Sequence, residues 1–346
     1  MSSAVLSRLG WDESFATAFD AMAPPSTVPA RVVSVASRSV TVLAEDGQRD
    51  GVYSGRLRAS PPPGGVTTGD WVAIDDATVH GVVPRRSALL RRAAGNAAVA
   101  QAVAANVDVV FIAAPLGLGV TVRRLERSLA IAWSSGARPV VLLTKSDLSV
   151  DLGRDLESAA AVAGGSEVIA VCAAGPGLAE VRSCLPAAHT GAIVGPSGAG
   201  KSTLINALCG ASRLATAVVR DDGRGRHTTS NRELVELPGG GLLIDTPGMR
   251  EMGVWDAQVG IDAVFADVGE LASRCRFSDC SHDREPGCAV RDAANGDPAI
   301  LDRLASLRKL EREQRFQDLQ VDARLRAEAR REHRRWARGV RSQPHH

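Results

Sequence analysis

The feature that most constrains this chain is a glycine-rich loop between an apolar strand and a helix. Residues 195–202 read Gly-Pro-Ser-Gly-Ala-Gly-Lys-Ser and fit the pattern G-x-x-x-x-G-K-[ST]; an apolar run ends at Val194, and a helical run continues from Thr203. Backbone N–H groups of such a loop close around the β-phosphate of a nucleotide, its lysine spans the β- and γ-phosphates, and its serine binds Mg²⁺. The sequence therefore predicts a phosphate-binding loop in an α/β domain.

A second motif indicates which base the nucleotide carries. Residues 144–147 read Thr-Lys-Ser-Asp after an apolar run and resemble the guanine-reading N/T-K-x-D element of GTPases. The Asp147 carboxylate can accept hydrogen bonds from N1–H and from the exocyclic amino group of guanine, whereas adenine offers no such pair of donors. Two of the three lysines in the chain, Lys145 and Lys201, fall in these motifs, although arginine is used elsewhere. Guanine specificity is the prediction.

A D-x-x-G element supplies the expected acidic ligand. Residues 245–248 read Asp-Thr-Pro-Gly after the apolar run 241–244. The carboxylate of Asp245 is expected to reach Mg²⁺, and the N–H of Gly248 is expected to reach the γ-phosphate.

The order of the motifs is unusual, because the base motif precedes the phosphate loop. A polar segment at residues 223–230 follows the loop, and either Thr228 or Thr229 is expected to close there over the γ-phosphate and the metal. This order predicts a circular permutation, which keeps the sheet and the site but moves the chain ends. The D-x-x-G element then leads directly into the C-terminal region.

That C-terminal region carries a predicted zinc site. Cys275, Cys280, His282 and Cys288 have the spacing C-x4-C-x-H-x5-C and supply a full tetrahedral set with no open position, as in structural zinc sites. The other three cysteines are scattered, so a disulfide framework is not expected, and a reducing cytoplasm fits best.

The remaining sequence predicts the other domains. Five β-rich runs, at residues 31–35, 39–43, 51–58, 70–74 and 80–83, predict a small barrel or sandwich. From about residue 101, strand runs alternate with helical runs, which indicates a mostly parallel sheet. Leucines spaced three residues apart from Leu301 predict a helical, arginine-rich tail. No export signal or membrane span is expected.

Overall charge and composition identify no partner. The formal net charge is +2 and aromatic residues are 3% of the chain, so any contact with nucleic acid is expected to depend on backbone phosphates more than on stacked bases. The arginines Arg85, Arg86, Arg91 and Arg92, where the β region ends, and the C-terminal tail are the candidates for such contacts.

Taken together, these motifs closely resemble the small ribosomal subunit biogenesis GTPase family called RsgA or YjeQ. The resemblance covers almost the whole chain and includes Leu-Gly-Trp at residues 9–11, Gly-Arg-His-Thr-Thr at 225–229 and Asp-Thr-Pro-Gly-Met-Arg at 245–250. Thr144 stands where asparagine is commoner, and Cys172 where serine is commoner.

The resemblance implies a multidomain fold: an N-terminal OB-fold β-barrel, a circularly permuted central α/β G domain and a C-terminal α-helical zinc-binding domain. The expected bounds are 1–29 for an N-terminal extension, 30–95 for the OB fold, 96–260 for the G domain and 261–346 for the C-terminal domain. It also implies a cytoplasmic GTPase that acts late in maturation of the small (30S) ribosomal subunit, contacts its rRNA and is slow unless the subunit stimulates it. We further expect a monomer with no membrane association.

The predicted site residues follow the motifs. Nucleotide contacts are expected from Thr144, Lys145, Ser146, Asp147, Cys172, Ala173, Gly195, Pro196, Ser197, Gly198, Ala199, Gly200, Lys201, Ser202, Thr203, Thr228, Thr229, Asp245 and Gly248. Magnesium is expected on Ser202, Thr229 and Asp245, with Thr228 as the alternative threonine. The loop at Cys172 and Ala173 is a second base-contacting candidate whose alternative is a plain strand end.

The catalytic assignments are Lys201, Gly248 and, as a hypothesis, His227. Met249 occupies the position where many GTPases have a water-orienting glutamine, so intrinsic hydrolysis should be slow. His227 is the candidate for positioning the water, against the alternative of a solvated loop histidine. Two other readings of the chain remain open: a P-loop ATPase or kinase, and a zinc-dependent RNA-binding scaffold with an inert G domain.

Overall fold

A computed structural model describes residues 4–36, 39–93, 96–117, 121–210, 232–246 and 257–321. The strands of this part are β1 (Val28–Val35), β2 (Ser39–Ala44), β3 (Gly47–Tyr53), β4 (Trp71–Ile74), β5 (Thr78–Val82), β6 (Ala88–Ala93), β7 (Asn96–Ala105), β8 (Val109–Pro115), β9 (Arg138–Thr144), β10 (Glu167–Val171), β11 (Thr190–Val194), β12 (Glu233–Glu236) and β13 (Leu242–Asp245). The helices are α1 (Ala4–Arg8), α2 (Glu13–Asp20), α3 (Gly55–Ala59), α4 (Val122–Ser134), α5 (Leu152–Ala160), α6 (Leu178–Ser183), α7 (Lys201–Cys209), α8 (Gln258–Val264), α9 (Ala266–Ser273), α10 (Ala289–Gly296) and α11 (Ala299–Val321).

Strands β1 to β5 close into the predicted five-stranded barrel. Strand β1 pairs with β2 and with β4, β2 pairs with β3, and β5 joins β3 to β4. Burial alternates along β2, where Val40, Val42 and Ala44 face the barrel interior. The predicted strand at 51–58 is wrong in its second half, because Ser54 accepts a hydrogen bond from the Leu57 N–H and begins helix α3.

The central sheet has the order β10-β9-β8-β11-β13-β12, and all its pairings are parallel except that of β12 with β13. Its strands are apolar on both faces: Val110 and Ile112 of β8 join one core cluster, while Val109 and Phe111 join the other. Burial is nearly continuous along β8, β9 and β11, as in other parallel sheets whose two faces are covered by helices. This is the predicted α/β domain.

The barrel is joined to the edge of this sheet. Ser34 of β1 is aligned with Glu233 of β12, and the Thr68 hydroxyl donates to the Arg232 carbonyl at 3.3 Å. The barrel therefore packs against β12, the edge strand of the central sheet.

A buried arginine fixes that junction. Arg31 donates through Nη1 to the Leu9 carbonyl, through Nε to the Gly69 carbonyl at 2.9 Å, and through Nη2 to the Asn106 carbonyl and the Thr190 hydroxyl at 3.0 and 3.1 Å. Burial lowers the pKa of Arg31 to about 10. This value is still well above 7, so the guanidinium stays charged at neutral pH. One side chain thus ties the N-terminal segment and the barrel to the central sheet.

Two of the arginines at the end of the β region, which were expected to contact phosphates, instead bind other residues of the protein. Arg85 donates through Nε and Nη2 to the two carboxylate oxygens of the buried Asp70, at 2.7 and 2.8 Å. Arg86 pairs with Asp12 and lies over the ring of Phe15. Strand β6, which begins at Ala88 just after these two arginines, pairs antiparallel with β7.

The C-terminal region is helical, as predicted, and packs on the central domain. Helix α8 lies so close to α4 that a Cβ on Gly260 would come within 1.8 Å of the Ala130 carbonyl oxygen. Arg303 of α11 donates to the buried Glu126 carboxylate of α4 at 3.1 Å, and also pairs with Asp267 at 2.7 Å. Among the described residues, no helix combines the length and the apolar character needed to cross a membrane.

Candidate functional site

The described parts of the nucleotide motifs meet at one edge of the central sheet. Strands β9, β10, β11 and β13 run parallel, so their carboxyl ends lie together. The chain moves outward from β8 to β9 and β10 and then returns to β11 on the other side of β8. Ligands of open α/β sheets bind in the crevice at such a reversal of strand order. The phosphate loop follows β11 directly and therefore begins at that crevice.

Glycines shape the loop. Gly195, Gly198 and Gly200 have φ values of 147°, 79° and 80°, in the range that side chains disfavour. A Cβ on Gly195 would lie 2.6 Å from the carbonyl oxygen of Ala113 in β8. Larger residues would strain or displace the loop at these positions.

Lys201 begins helix α7 and lies within the loop. Its Nζ donates to the carbonyl oxygens of Gly195 and Pro196, at 2.8 and 2.7 Å. Burial lowers the pKa of the Lys201 ammonium, and the charge of Asp245 opposes that shift. Within the described part of the chain, this half-buried ammonium donates to backbone carbonyls, and its charge is suited to receive an anionic ligand.

The base motif braces this loop. The buried Thr144 hydroxyl donates to the Ala199 carbonyl at 2.7 Å, a contact between residues 55 positions apart in the chain. Lys145 has a left-handed backbone (φ 58°), and its Cε lies 3.9 Å from the position of a Cβ on Gly200. The Lys145 stem thus passes the phosphate loop, and Asp147 stands exposed in the next turn, Ser146–Leu148.

The second base-loop candidate lies beside the first. Strand β10 aligns Val171 with Thr144 of β9, so Cys172 begins the neighbouring loop at the same edge. The Cys172 N–H donates to the Pro176 carbonyl at 3.0 Å, and the Gly175 N–H donates to the Cys172 carbonyl at 3.0 Å. Cys172 and Ala173 therefore begin a compact turn and are partly exposed.

Asp245 ends strand β13 on the other side of the phosphate loop. The buried Thr246 hydroxyl, which sequence reasoning did not single out, donates to the Ile193 carbonyl of β11. This bond ties the start of the D-x-x-G element to the strand that carries the phosphate loop. Its only sequence signal is its place inside the motif.

Some predicted residues lie outside the part of the chain that the structure describes. These are His227, Thr228, Thr229 and Gly248, together with Met249 and the arginine-rich tail beyond residue 321.

The four predicted zinc ligands lie together between α9 and α10. Their ligand atoms all lie within 4.8 Å of one another. His282 Nδ1 is 3.6 Å from Cys275 Sγ and 3.5 Å from Cys288 Sγ, and these two sulfurs are 4.0 Å apart. Ligand atoms of a tetrahedral zinc site lie about 3.5–3.8 Å apart for bonds of the usual lengths. The donor set and its spacing therefore fit zinc, and Cys280 completes the set.

Comparison with known proteins agrees with this architecture. Residues 82–255 match the family model described as RsgA GTPase. The chain is 44% identical to "Small ribosomal subunit biogenesis GTPase RsgA" of Streptomyces coelicolor over 95% of its length and 92% of that protein's. It is 41% identical to the protein of the same name from Opitutus terrae, over 96% of this chain and 95% of that one.

Solved structures show the same fold. The crystal structure of YjeQ from Thermotoga maritima superposes with a TM-score of 0.60 at 23% identity, covering 82% of this chain and 98% of that one. YloQ, described as a circularly permuted GTPase, gives 0.57 at 21% identity, covering 83% and 96%. With the permuted motif order, the phosphate loop and the matching family model all in agreement, the chain belongs to the RsgA GTPase family.

Proposed function

We propose that this protein hydrolyses GTP to GDP and phosphate during late maturation of the small (30S) ribosomal subunit, and that the subunit stimulates the reaction. The observation that carries the proposal is the hydrogen bond from Thr144 to Ala199, because it holds a guanine-reading motif against a phosphate loop. The names of the relatives, which act in biogenesis of the small subunit, support the choice of partner.

The phosphate side of the site binds and orients the triphosphate. Lys201 neutralises the β- and γ-phosphates, and the backbone N–H groups of residues 195–202 hold the β-phosphate. The Ser202 hydroxyl and the Asp245 carboxylate are the oxygen ligands that Mg²⁺ favours, with Thr229 or Thr228 as a third. Bound Mg²⁺ would neutralise charge on the β- and γ-oxygens.

The base side selects guanine. Asp147 is proposed to accept hydrogen bonds from guanine N1–H and its exocyclic amino group, with Ser146, Cys172 and Ala173 at the rim of the same pocket. The variant Asp147→Asn tests this, since an amide is complementary to the carbonyl of xanthine and not to the amino group of guanine. Loss of GTP binding with gain of xanthosine triphosphate binding is expected; unchanged GTP preference would contradict the assignment.

We assign the positioning of the attacking water to His227. The contact with the γ-phosphate is assigned to the N–H of Gly248. The thioether of Met249 cannot orient a water molecule as a glutamine amide does, so slow turnover by the protein alone is expected. His227→Ala should bind GTP normally and lose the stimulation by small subunits. Full stimulated turnover in that variant would remove His227 from the mechanism.

The other domains are proposed to hold the enzyme on the subunit. We assign residues 30–95 to an OB-fold barrel and residues 261–346 to a zinc-binding domain with an arginine-rich tail, both contacting rRNA. Residues 1–29 are an N-terminal extension, and 96–260 form the G domain. The protein is proposed to act as a monomer in the cytoplasm, where the small subunit matures.

The deciding experiment is turnover of GTP and of ATP with and without purified small subunits. Slow GTP hydrolysis that rises on addition of subunits is expected. Tight ATP binding without discrimination would favour a P-loop ATPase or kinase. Background turnover under both conditions would favour a zinc-dependent scaffold with an inert G domain.

A further inference from the structure

The zinc loop, which comprises residues 274–288 between α9 and α10, carries an aromatic side chain that the fold does not bury. Four of the six phenylalanines are at most 8% exposed, whereas Phe277 is 42% exposed. It lies between the metal ligands Cys275 and Cys280. Exposure alone assigns no role to this ring, since Phe316 is also exposed (54%), but burial of the ring against a ligand would remove apolar surface from water, which is favourable.

The backbone under Phe277 is fixed. The Arg276 N–H donates to the Gly287 carbonyl at 3.0 Å, and the Cys280 N–H donates to the Phe277 carbonyl at 3.3 Å. With Cys275 and Cys280 held by a metal, the ring is presented on a rigid turn. A ligand that packs on it would therefore cost little ordering entropy on the protein side.

The ring has a cation beside it and few available carboxylates. The Arg276 guanidinium lies 5.4 Å from the Phe277 ring centroid. Two acidic side chains of the loop are engaged internally: Glu285 accepts from the backbone N–H of Ser281, and Asp283 pairs with Arg308. The exposed tip is therefore an aromatic ring with a guanidinium over one of its faces.

We propose that Phe277 is a base-stacking residue, on which an unpaired base of RNA packs with Arg276 alongside. Unpaired bases are recognised by stacking on aromatic rings and on guanidinium planes, and the two occur together here. This inference rests on the proposed function, because the RNA is taken to be that of the small subunit. It gives the zinc loop a direct contact beyond its structural role.

The surroundings favour RNA over an apolar pocket of a partner protein. A protein-docking patch needs a contiguous apolar surface, but the residues that follow Phe277 are Ser278 and Asp279, both exposed. Asp279 can accept a hydrogen bond from a base amino group, as carboxylates do in base readout.

The test measures binding to purified small subunits at several salt concentrations. Phe277→Ala should weaken binding about 5- to 150-fold, the range for loss of one stacked base. The slope of log affinity against log salt should stay unchanged, because stacking releases no counterions, whereas loss of a phosphate contact lowers it by about one. Phe277→Trp should bind like the unmodified protein, and Phe277→Leu should bind like Phe277→Ala.

Val259, 73% exposed on α8 and outside the residues assigned to RNA contact, supplies the control. Val259→Ala should bind subunits normally, and the zinc content of every variant should be one per chain. Normal binding by Phe277→Ala would overturn the stacking proposal while leaving the proposed function intact. Normal binding by Phe277→Leu would also overturn it, in favour of a protein pocket. If the unmodified protein fails to bind subunits at all, the proposed function fails instead.

A photo-crosslinking residue at position 277 provides a second readout that does not depend on affinity. A benzophenone side chain there should form its crosslink to RNA of the subunit. A crosslink to protein alone would overturn the proposal.

Discussion

Arg303 of the C-terminal helix α11 donates a hydrogen bond to the carboxylate of Glu126 in α4, 3.1 Å away, across the contact between the C-terminal helices and the central sheet domain. Glu126 is fully buried, and Arg303 is also bonded to Asp267 and to the Val264 carbonyl. The D-x-x-G element leads directly into the helices that Arg303 holds. This ion pair therefore links the central nucleotide-binding domain to the C-terminal helices.

Removing the arginine should destabilise the protein strongly. Arg303→Met leaves the Glu126 carboxylate buried without its cation, and breaking a buried pair in this way costs about 3–5 kcal/mol. The apparent free energy of unfolding in urea measures the loss. The ion pair of Arg127 with Glu313, whose side chains are about one-third exposed, is the control, and Arg127→Ala should cost at most about 1 kcal/mol. Equal effects in the two variants would contradict the assignment.

The same carboxylate should make stability depend on pH. Burial raises the pKa of Glu126 above its usual 4.5, and the hydrogen bond with Ser306 and the charge of Arg303 only partly oppose this. The unfolded chain therefore releases the proton first, so the contribution of Glu126 to stability falls as pH rises from about 4.5 through its folded pKa. Glutamine does not titrate, so in Glu126→Gln this contribution does not change with pH. The stability of the unmodified protein relative to Glu126→Gln should fall with pH across that window, and a rising difference would contradict the argument.

The bond between Thr144 and the phosphate loop should set nucleotide affinity. Thr144→Val keeps the shape but leaves the Ala199 carbonyl without its donor, a loss of about 1–3 kcal/mol in a buried position. Affinity for GDP should therefore fall about 5- to 150-fold. Titration with a fluorescent GDP analogue measures this. Thr144→Ser, which keeps the hydroxyl, should retain most of the affinity; if Ser and Val variants bind alike, the hydrogen bond is not responsible.

The cysteine–histidine cluster should bind one zinc ion that the C-terminal fold needs. Cys288→Ser removes one ligand of the set, and strong chelation removes the metal, so both should lower the melting temperature of the C-terminal region. Metal analysis of the purified protein gives the stoichiometry. Cys184, a buried cysteine of the central domain, is the control, and Cys184→Ser should keep one zinc per chain. A zinc content that follows Cys184 and not Cys288 would refute the site.

The sequence by itself determined the parts of this protein whose chemistry is local. The phosphate loop, the D-x-x-G element and the C-x4-C-x-H-x5-C cluster each place their functional groups within a few residues of one another. A pattern of spacing therefore carries the geometry. The barrel strand β2 was predictable because its burial alternates with a period of two. The strands of the central sheet were predictable for a different reason: they are continuous apolar runs that are buried on both faces.

Only the tertiary structure decided which arginines hold the domains together. Arg85 reads in sequence as a candidate for phosphate contacts, but it binds the buried Asp70 fifteen residues away. Arg31 bonds to residues as distant as Thr190, and Arg303 reaches Glu126, 177 positions earlier in the chain. The value of a long cationic side chain depends on which acceptors the fold brings to it, and sequence spacing carries no information about acceptors contributed by other domains.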